Sequence, residues 1–377
     1  MRKKNKKIIS ILALGIFMTL TPGNAMAAAG SDTGEMDLEQ VIENTISGNS
    51  SLNLYNKKID VAKTALEEAD LQTGEETDYQ QEMRLSVNPG RRQLELDNLN
   101  WDKDQKQDSV VTKSKQLYFQ YIIQDKLIEI QKDKIQTLKT ALQNKKTGID
   151  VGTEAQNSLI DDQVNLDTAE TELQQLLNDK ESIRMKLNIN MGKSVNSVLN
   201  LKSEDIPYEE YTLEDVGAIA EKMSKECHSV TSMNKELELD RTEEGIAEMY
   251  DDDENQLERA AYPNTDYKSY AETLSDTITN LEYQVIDEEN SVNAKVRIDY
   301  NNILSLNNTV TSKKLDYDQA VILYNTEKSK LEVGMSTQLQ VDTAEESMKE
   351  AECQYNEAKI DYLTAVEQFK SYIKDFN

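Results

Sequence analysis

The stretch VDTAEESMKEAECQYNEAKIDYLTAVEQFKSY, residues 341–372, decides the fold. Within it Val341, Ala344, Met348, Ala351, Tyr355, Ala358, Tyr362, Ala365, Phe369 and Tyr372 follow one another at alternating steps of three and four. That spacing keeps all of them on one stripe of an α-helix, as a coiled-coil seam requires. Small Ala alternates with large Tyr, Met or Phe, so a facing helix can approach closely and interlock. Upstream, Val310, Tyr317, Val321, Tyr324 and Leu331 keep the same schedule, interrupted by Lys314 and Lys328. Between the two stripes Val333-Gly334-Met335 supplies the backbone freedom of a turn, and Thr337 with Gln340 is suited to cap the returning helix. The segment predicts a long helical hairpin with a glycine at its tip.

A second copy lies 182 residues earlier, where Val151-Gly152-Thr153, preceded by Gly148, separates two further stripes. Leu117, Tyr121, Ile128, Ile135, Leu138 and Leu142 form the ascending one, and Leu159, Leu166, Ala169, Leu173, Leu176, Ile183 and Leu187 the descending one. The openings match as well: Asp37-Leu38-Glu39-Gln40-Val41 and Thr212-Leu213-Glu214-Asp215-Val216 each begin with an N-cap residue and carry Gln or Asp three places on. The openings are 175 residues apart, so the copies differ by one heptad, a length change that leaves coiled-coil seams in phase. The expected fold is all-α, two tandem long antiparallel coiled-coil hairpins at 28–206 and 207–377. Arms of about 35 residues make rods of roughly 50 Å. Thr73 to Asn100 is the one irregular stretch with loose alternation, at Met83-Arg84-Leu85-Ser86-Val87 and after Asn88-Pro89-Gly90, and allows at most a short β-hairpin.

Composition agrees. Aromatic residues are 6% and charged residues 30% of the chain, and mean hydropathy is −0.69, which argues against a single thick core. Residues 1–27 read as a signal peptide: Arg2, Lys3, Lys4, Lys6 and Lys7, an apolar run from Ile8 to Leu20, and Ala25-Met26-Ala27 before the cleavage point. The formal net charge of −28 excludes nucleic acid as a partner, because phosphate binding needs the opposite sign. Cys227 and Cys353 lie in different copies, and two idle thiols are favoured over one bridge. His228 is the only histidine, so no His-based triad or His-rich metal site can form within one chain. Asp251, Asp253 and Asn255 have calcium-loop spacing, but Gln256 replaces the required Gly and Tyr262 the bidentate Glu. No phosphate-cradling Gly-rich loop is present. The expectation is a non-enzyme with no metal and no cofactor.

The order and double occurrence of these features resemble the TolC-like outer-membrane efflux protein family. The likeness rests on the Asp37-Leu38-Glu39-Gln40-Val41-Ile42 opening, the two copies, and the Val-Gly tip followed by a helix from Val341 to Ala365. It implies a homo-oligomer, a trimer, whose paired helices make a hollow duct and whose strands complete a membrane barrel. It also implies export of cargo with an inner-membrane pump and a periplasmic adaptor, the membrane-fusion protein, docked at the helical tips. Val151, Gly152, Thr153, Val333, Gly334 and Ser336 would be the adaptor-facing tip, although turn chemistry alone accounts for each of them equally well. The family often places carboxylates just after the second tip, where this chain has Gln340 and Thr343 with Asp342 beside them, and Asp161 and Asp162 follow the first tip. Those three Asp are the candidates for a constriction, which would select cations. The location implied is the cell envelope, at an outer membrane. Against the barrel stands length, since a spanning strand needs about nine to eleven alternating residues, and neither Thr73 to Asn100 nor Met249 to Asp266 supplies a pair.

A second function fits the same rods: an envelope structural protein whose hairpins close into an elongated bundle without a lumen. Seams discriminate the two. A closed bundle needs one apolar seam per helix, whereas a duct wall needs lateral seams on two sides, and flanking apolar residues such as Tyr118, Ile122, Leu127, Leu363 and Val366 lean toward the wall.

Overall fold

The computed structural model describes residues 34–71, 79–150, 158–250 and 266–376. The expected signal peptide, the first tip from Val151 to Thr153 and the acidic stretch after Tyr250 lie outside them. Residues Glu35 to Asn377 form one compact unit.

Helix α1 (Leu38–Gly48) opens on the anticipated capping box: Asp37 accepts from the Gln40 amide at 2.9 Å, and the Gln40 side chain accepts from the Asp37 amide at 3.1 Å. A single extended residue, Asn49, separates it from α2 (Ser50–Leu71). Asn49 Oδ1 accepts from the amides of Ser51 and Leu52 and so caps the second helix. The one-turn α3 (Tyr79–Glu82) continues through a π-helical turn, Met83–Val87, into α4 (Asn88–Asp150). At 63 residues α4 is about 95 Å long. It returns as α5 (Ser158–Asn190). In the second copy, α6 (Val216–Glu226) and α7 (His228–Met249) are divided by Cys227, then α8 (Tyr267–Glu332) and α9 (Gln338–Tyr372) complete the chain. The pairs α1/α2 and α6/α7 are both 11 and 22 residues long with one extended residue between. The duplication extends to this break, which the sequence did not announce.

Two expectations are corrected. The second opening is capped by Asp215, whose side chain accepts from the Ala218 amide at 2.9 Å, and not by Thr212. Residues 212–214 stay outside the helix, and the Leu213 amide finds its partner in the Tyr300 hydroxyl at 3.1 Å. The two breaks are therefore 178 residues apart, and the copies differ by four residues up to the tip instead of seven. Secondly, residues 79–100 are helical throughout, so Met83 to Leu99 form no β-hairpin. Tyr79, Met83 and Val87, at helical spacing, face one cluster with Ile246, Tyr250 and Tyr267. Pro89 has no N–H to give the carbonyl four residues back, and the backbone answers by widening: the Asn88 amide reaches back five residues to Met83. The one β feature among the described residues is a bridge between Met36 and Leu201.

The apolar stripes pair as their spacing demands. On the tip side, Ile135 and Leu142 of α4 bury Leu166 and Ala169 of α5, and Val296, Ile303 and Val310 of α8 cluster with Ala358, Tyr362 and Phe369 of α9. A separate stripe of α9, Cys353 and Ile360, joins the cluster that holds Ile123 and Ile130 of α4. Toward the other end, Ile59 and Ala62 of α2 meet Leu96, and Leu237 of α7 meets Ile278 and Leu281. Both thiols are buried and unbonded to each other.

Polar contacts fix the rest. Between α5 and α6 a connector without regular structure, which contains the expected join at 206/207, needs partners for its backbone groups. Tyrosines from two rods, α4 and α9, supply them: Tyr118 donates to the Lys202 carbonyl at 2.6 Å, Tyr121 to that of Leu199 at 3.1 Å, and Tyr362 accepts from the Tyr211 amide at 2.7 Å. At the end away from the tips, Arg91 of α4 bonds Asp240 at 2.7 Å and Glu243 at 2.6 Å on α7. Both carboxylates are buried, 6% and 7% exposed, and so depend on that guanidinium. The Tyr270 hydroxyl also donates to Glu243, and burial followed by that carboxylate pushes the phenol up to about 12.

Candidate functional site

The described tip is that of α8/α9. Gly334 has a φ of +75°, the left-handed conformation a Cβ disfavours. Around it the helix closes with a Schellman motif: the Gly334 amide bonds the Leu331 carbonyl at 3.0 Å and the Met335 amide that of Lys330 at 2.8 Å. The chain then restarts at the expected capping box, with Thr337 accepting from the Gln340 amide and Gln340 from that of Thr337. Ser336 is half-buried and donates to Glu327 at 2.7 Å. Val333 and Met335 project into solvent, 69% and 78% exposed, with Leu339 one turn on at 51%. The turn leaves an apolar knob on a rod end. Of the six residues expected at the tips, the structure places Val333, Gly334 and Ser336 here; Val151, Gly152 and Thr153 belong to the undescribed tip.

Within one chain the constriction candidates do not converge. Asp162 pairs with Lys145 of α4 at 2.7 Å, Asp161 is exposed on α5, and Asp342 accepts from Gln338 at 2.7 Å on its own helix. Asp162 and Asp342 are thus paired locally. Sequence reasoning missed Glu346 of α9, whose Oε1 is buried with no hydrogen-bond partner. Its carboxyl is held above the usual range by burial first, with Glu350, Asp342 and Asp133 adding to this and Lys134 opposing it. Its signal was available, since Ile360, Cys353 and Glu346 follow one another at steps of seven.

The wall is as informative as the tip. On the tip side the long helices pack in the order α5, α4, α9, α8; toward the other end the order is α2, α4, α7, α8. The outer members α5 and α8 share no packing interface, so the four rods make an open row. Helices α4 and α9 each have a neighbour on both sides, while α5 and α8 present a free margin. Those margins keep apolar residues in solvent: Ile160 and Val164 on α5, and Leu315 and Ile322, both 65% exposed, on α8. One face of the row carries two adjoining cavities of about 420 and 390 Å³ over α4, with Asp179, Glu357, Gln124 and Gln131 among their linings. Among the described residues no cluster of three His, Cys, Asp or Glu is placed to hold a metal, and no helix is long and apolar enough to cross a membrane.

No family model matches the sequence, and no curated protein matches it. Solved structures do. The outer-membrane channel OprN superposes with a TM-score of 0.64 at 11% identity, over 89% of each chain. The outer membrane protein VceC from Vibrio cholerae gives 0.61 at 12% identity, over 89% of this chain and 95% of its own. The Campylobacter jejuni CmeC outer membrane channel gives 0.59 at 12%, over 89% and 85%. At such identities the likeness speaks for architecture alone: the chain has the TolC-like fold of outer-membrane channels.

Proposed function

We propose that this chain is one sector of a TolC-like efflux duct in the cell envelope, a transport component with no catalytic activity of its own. The observation that carries the reading is the open row of rods with apolar free margins. A closed bundle would bring α5 against α8, and the apolar residues there would be covered from within the chain. Further copies along the two margins cover them instead and complete a hollow wall; the resemblance supplies the trimer as the expected number. The exposed Val333, Met335 and Leu339 fit a helical-hairpin adaptor working with a pump. The links from α2 to α3 and from α7 to α8 hold 7 and 17 residues, whereas a spanning strand pair needs about 18 to 22.

The test is the mass in solution of the chain without residues 1–27, by light scattering, alone and as the Leu315→Asp/Ile322→Asp variant. A closed oligomer that the variant dissociates, with helix content unchanged by circular dichroism, is the expected result. A monomer at high protein concentration would overturn the duct reading.

A further inference from the structure

The seam between α4 and α9 joins the two hairpins, and it changes character along its length. On the connector side it is apolar and locked by charge, with Cys353 and Ile360 buried against α4 and Lys115 bonding Glu367 at 2.6 Å. Beyond Cys353 toward the tips, no buried apolar cluster among the described residues bridges the hairpins; Ile135 and Leu142 of α4 turn to α5. What remains there is polar. Asp133 of α4 meets Lys349 at 3.4 Å, and Lys349 is shared with Glu345 at 3.0 Å. Lys134 is drawn 3.7 Å from Glu172 on α5.

Glu346 sits in this stretch, at the heptad position that Cys353 and Ile360 fill with apolar side chains. A polar group at such a position lowers the stability of a coiled-coil seam, and an ionised one lowers it more, because the charge loses water without gaining a partner. The titratable groups facing it are Asp342 and Glu350 on α9 and Asp133 and Lys134 on α4. Burial is the leading cause that disfavours its ionised form; the three acids add to it, and Lys134, itself shared with Glu172, opposes it.

We propose that Glu346 makes the tip-ward part of the α4–α9 seam acid-tightened: the hairpins zip toward their tips when this carboxyl carries its proton and part there when it is ionised. The direction of its titration agrees. A carboxyl whose value is raised on folding contributes stability that is fully present below the ordinary carboxylate range and is lost as pH rises through the raised value. This device belongs to the single chain and does not rest on the export reading.

The experiment is a spin–spin distance measurement between labels at Thr140→Cys on α4 and Thr343→Cys on α9, both exposed positions. The native thiols are buried, and burial pushes Cys353 up to about 11, so neither competes for label near neutral pH. The distance should be short and narrowly distributed at pH 5 and longer and broader at pH 8. Glu346→Gln should hold the short distance at both values, whereas Asp133→Asn should keep the pH response. A distance that does not change with pH in the parent chain, or a change that survives in Glu346→Gln, would overturn the proposal.

Discussion

Two glycines with nearly the same backbone conformation should respond very differently to one added methyl group. Gly192 (φ +68°) follows α5, and Gly334 (φ +75°) follows α8. An alanine pays about 1–2 kcal/mol in the left-handed region at either site. At Gly334 that is the whole effect, because a Cβ there meets nothing within 4 Å. At Gly192 the Cβ falls 2.0 Å from the Gly48 carbonyl oxygen, a backbone atom at the end of α1 that cannot rotate away. Relief requires moving α1 off the turn, against the Asn49 side chain that donates to the Asn190 carbonyl at 3.0 Å and the cluster holding Val41 and Leu187. Overpacking of this kind adds about 1–3 kcal/mol, so Gly192→Ala should cost about 2–5 kcal/mol and Gly334→Ala about 1–2. Gly48→Ala meets the Met191 carbonyl at 2.1 Å from the other side and has no positive φ, so it should fall between them. Urea unfolding followed by far-ultraviolet circular dichroism measures all three, and Gly48→Ala/Gly192→Ala should cost less than the sum of the singles, since both disturb one contact. If Gly334→Ala proved as damaging as Gly192→Ala, the close approach of α1 to the α5 turn would be refuted.

Arg91→Ala should destabilise the chain by about 3 kcal/mol, the low end for a broken buried pair because the guanidinium is partly exposed; adding Asp240→Asn and Glu243→Gln should restore part of it in the same unfolding assay. His228 stacks on Trp101 with ring centres 4.8 Å apart, and burial holds its imidazole below the usual histidine value. The sign follows: its stability contribution is present above about pH 6.5 and lost as pH falls through the depressed value, so His228→Gln should flatten the acid side of a stability profile between pH 7 and 5. Trp101 is the only tryptophan, so its fluorescence reports that joint directly.

How much of this was legible depended on whether a residue acts through local spacing or through a distant neighbour. The stripe from Val341 to Tyr372, the Gly334 turn, and the Asp37/Gln40 and Thr337/Gln340 caps are all set by positions a few residues apart, and periodicity reads them directly. The second cap is not readable locally, because Thr212 and Asp215 are both capable; in the structure the Leu213 amide goes to the Tyr300 hydroxyl, 87 residues away, and Asp215 caps the helix. Met83 to Val87 alternate like a strand, but their side chains also satisfy a step of four, and contact with Ile246 and Tyr267 selects the helix. The break at Cys227 carries no Gly or Pro and has no local signal. At the site, the tip turn could be read from sequence, while the acids near it were judged by proximity to the tip. Burial singled out Glu346, and only a comparison with the same heptad position further along α9 would have found it.

The open row also carries a geometric consequence. Its two margins differ: one is α5, with Ile160 and Val164, and the other is α8, with Leu315 and Ile322. A join that covers both at once is heterologous, each copy offering its left side to its neighbour's right, and no two-fold axis can satisfy it. The number of subunits in such a ring is then dictated by the wedge angle of a single copy. Bore and stoichiometry become one quantity, adjustable by any substitution that tilts one rod against the next.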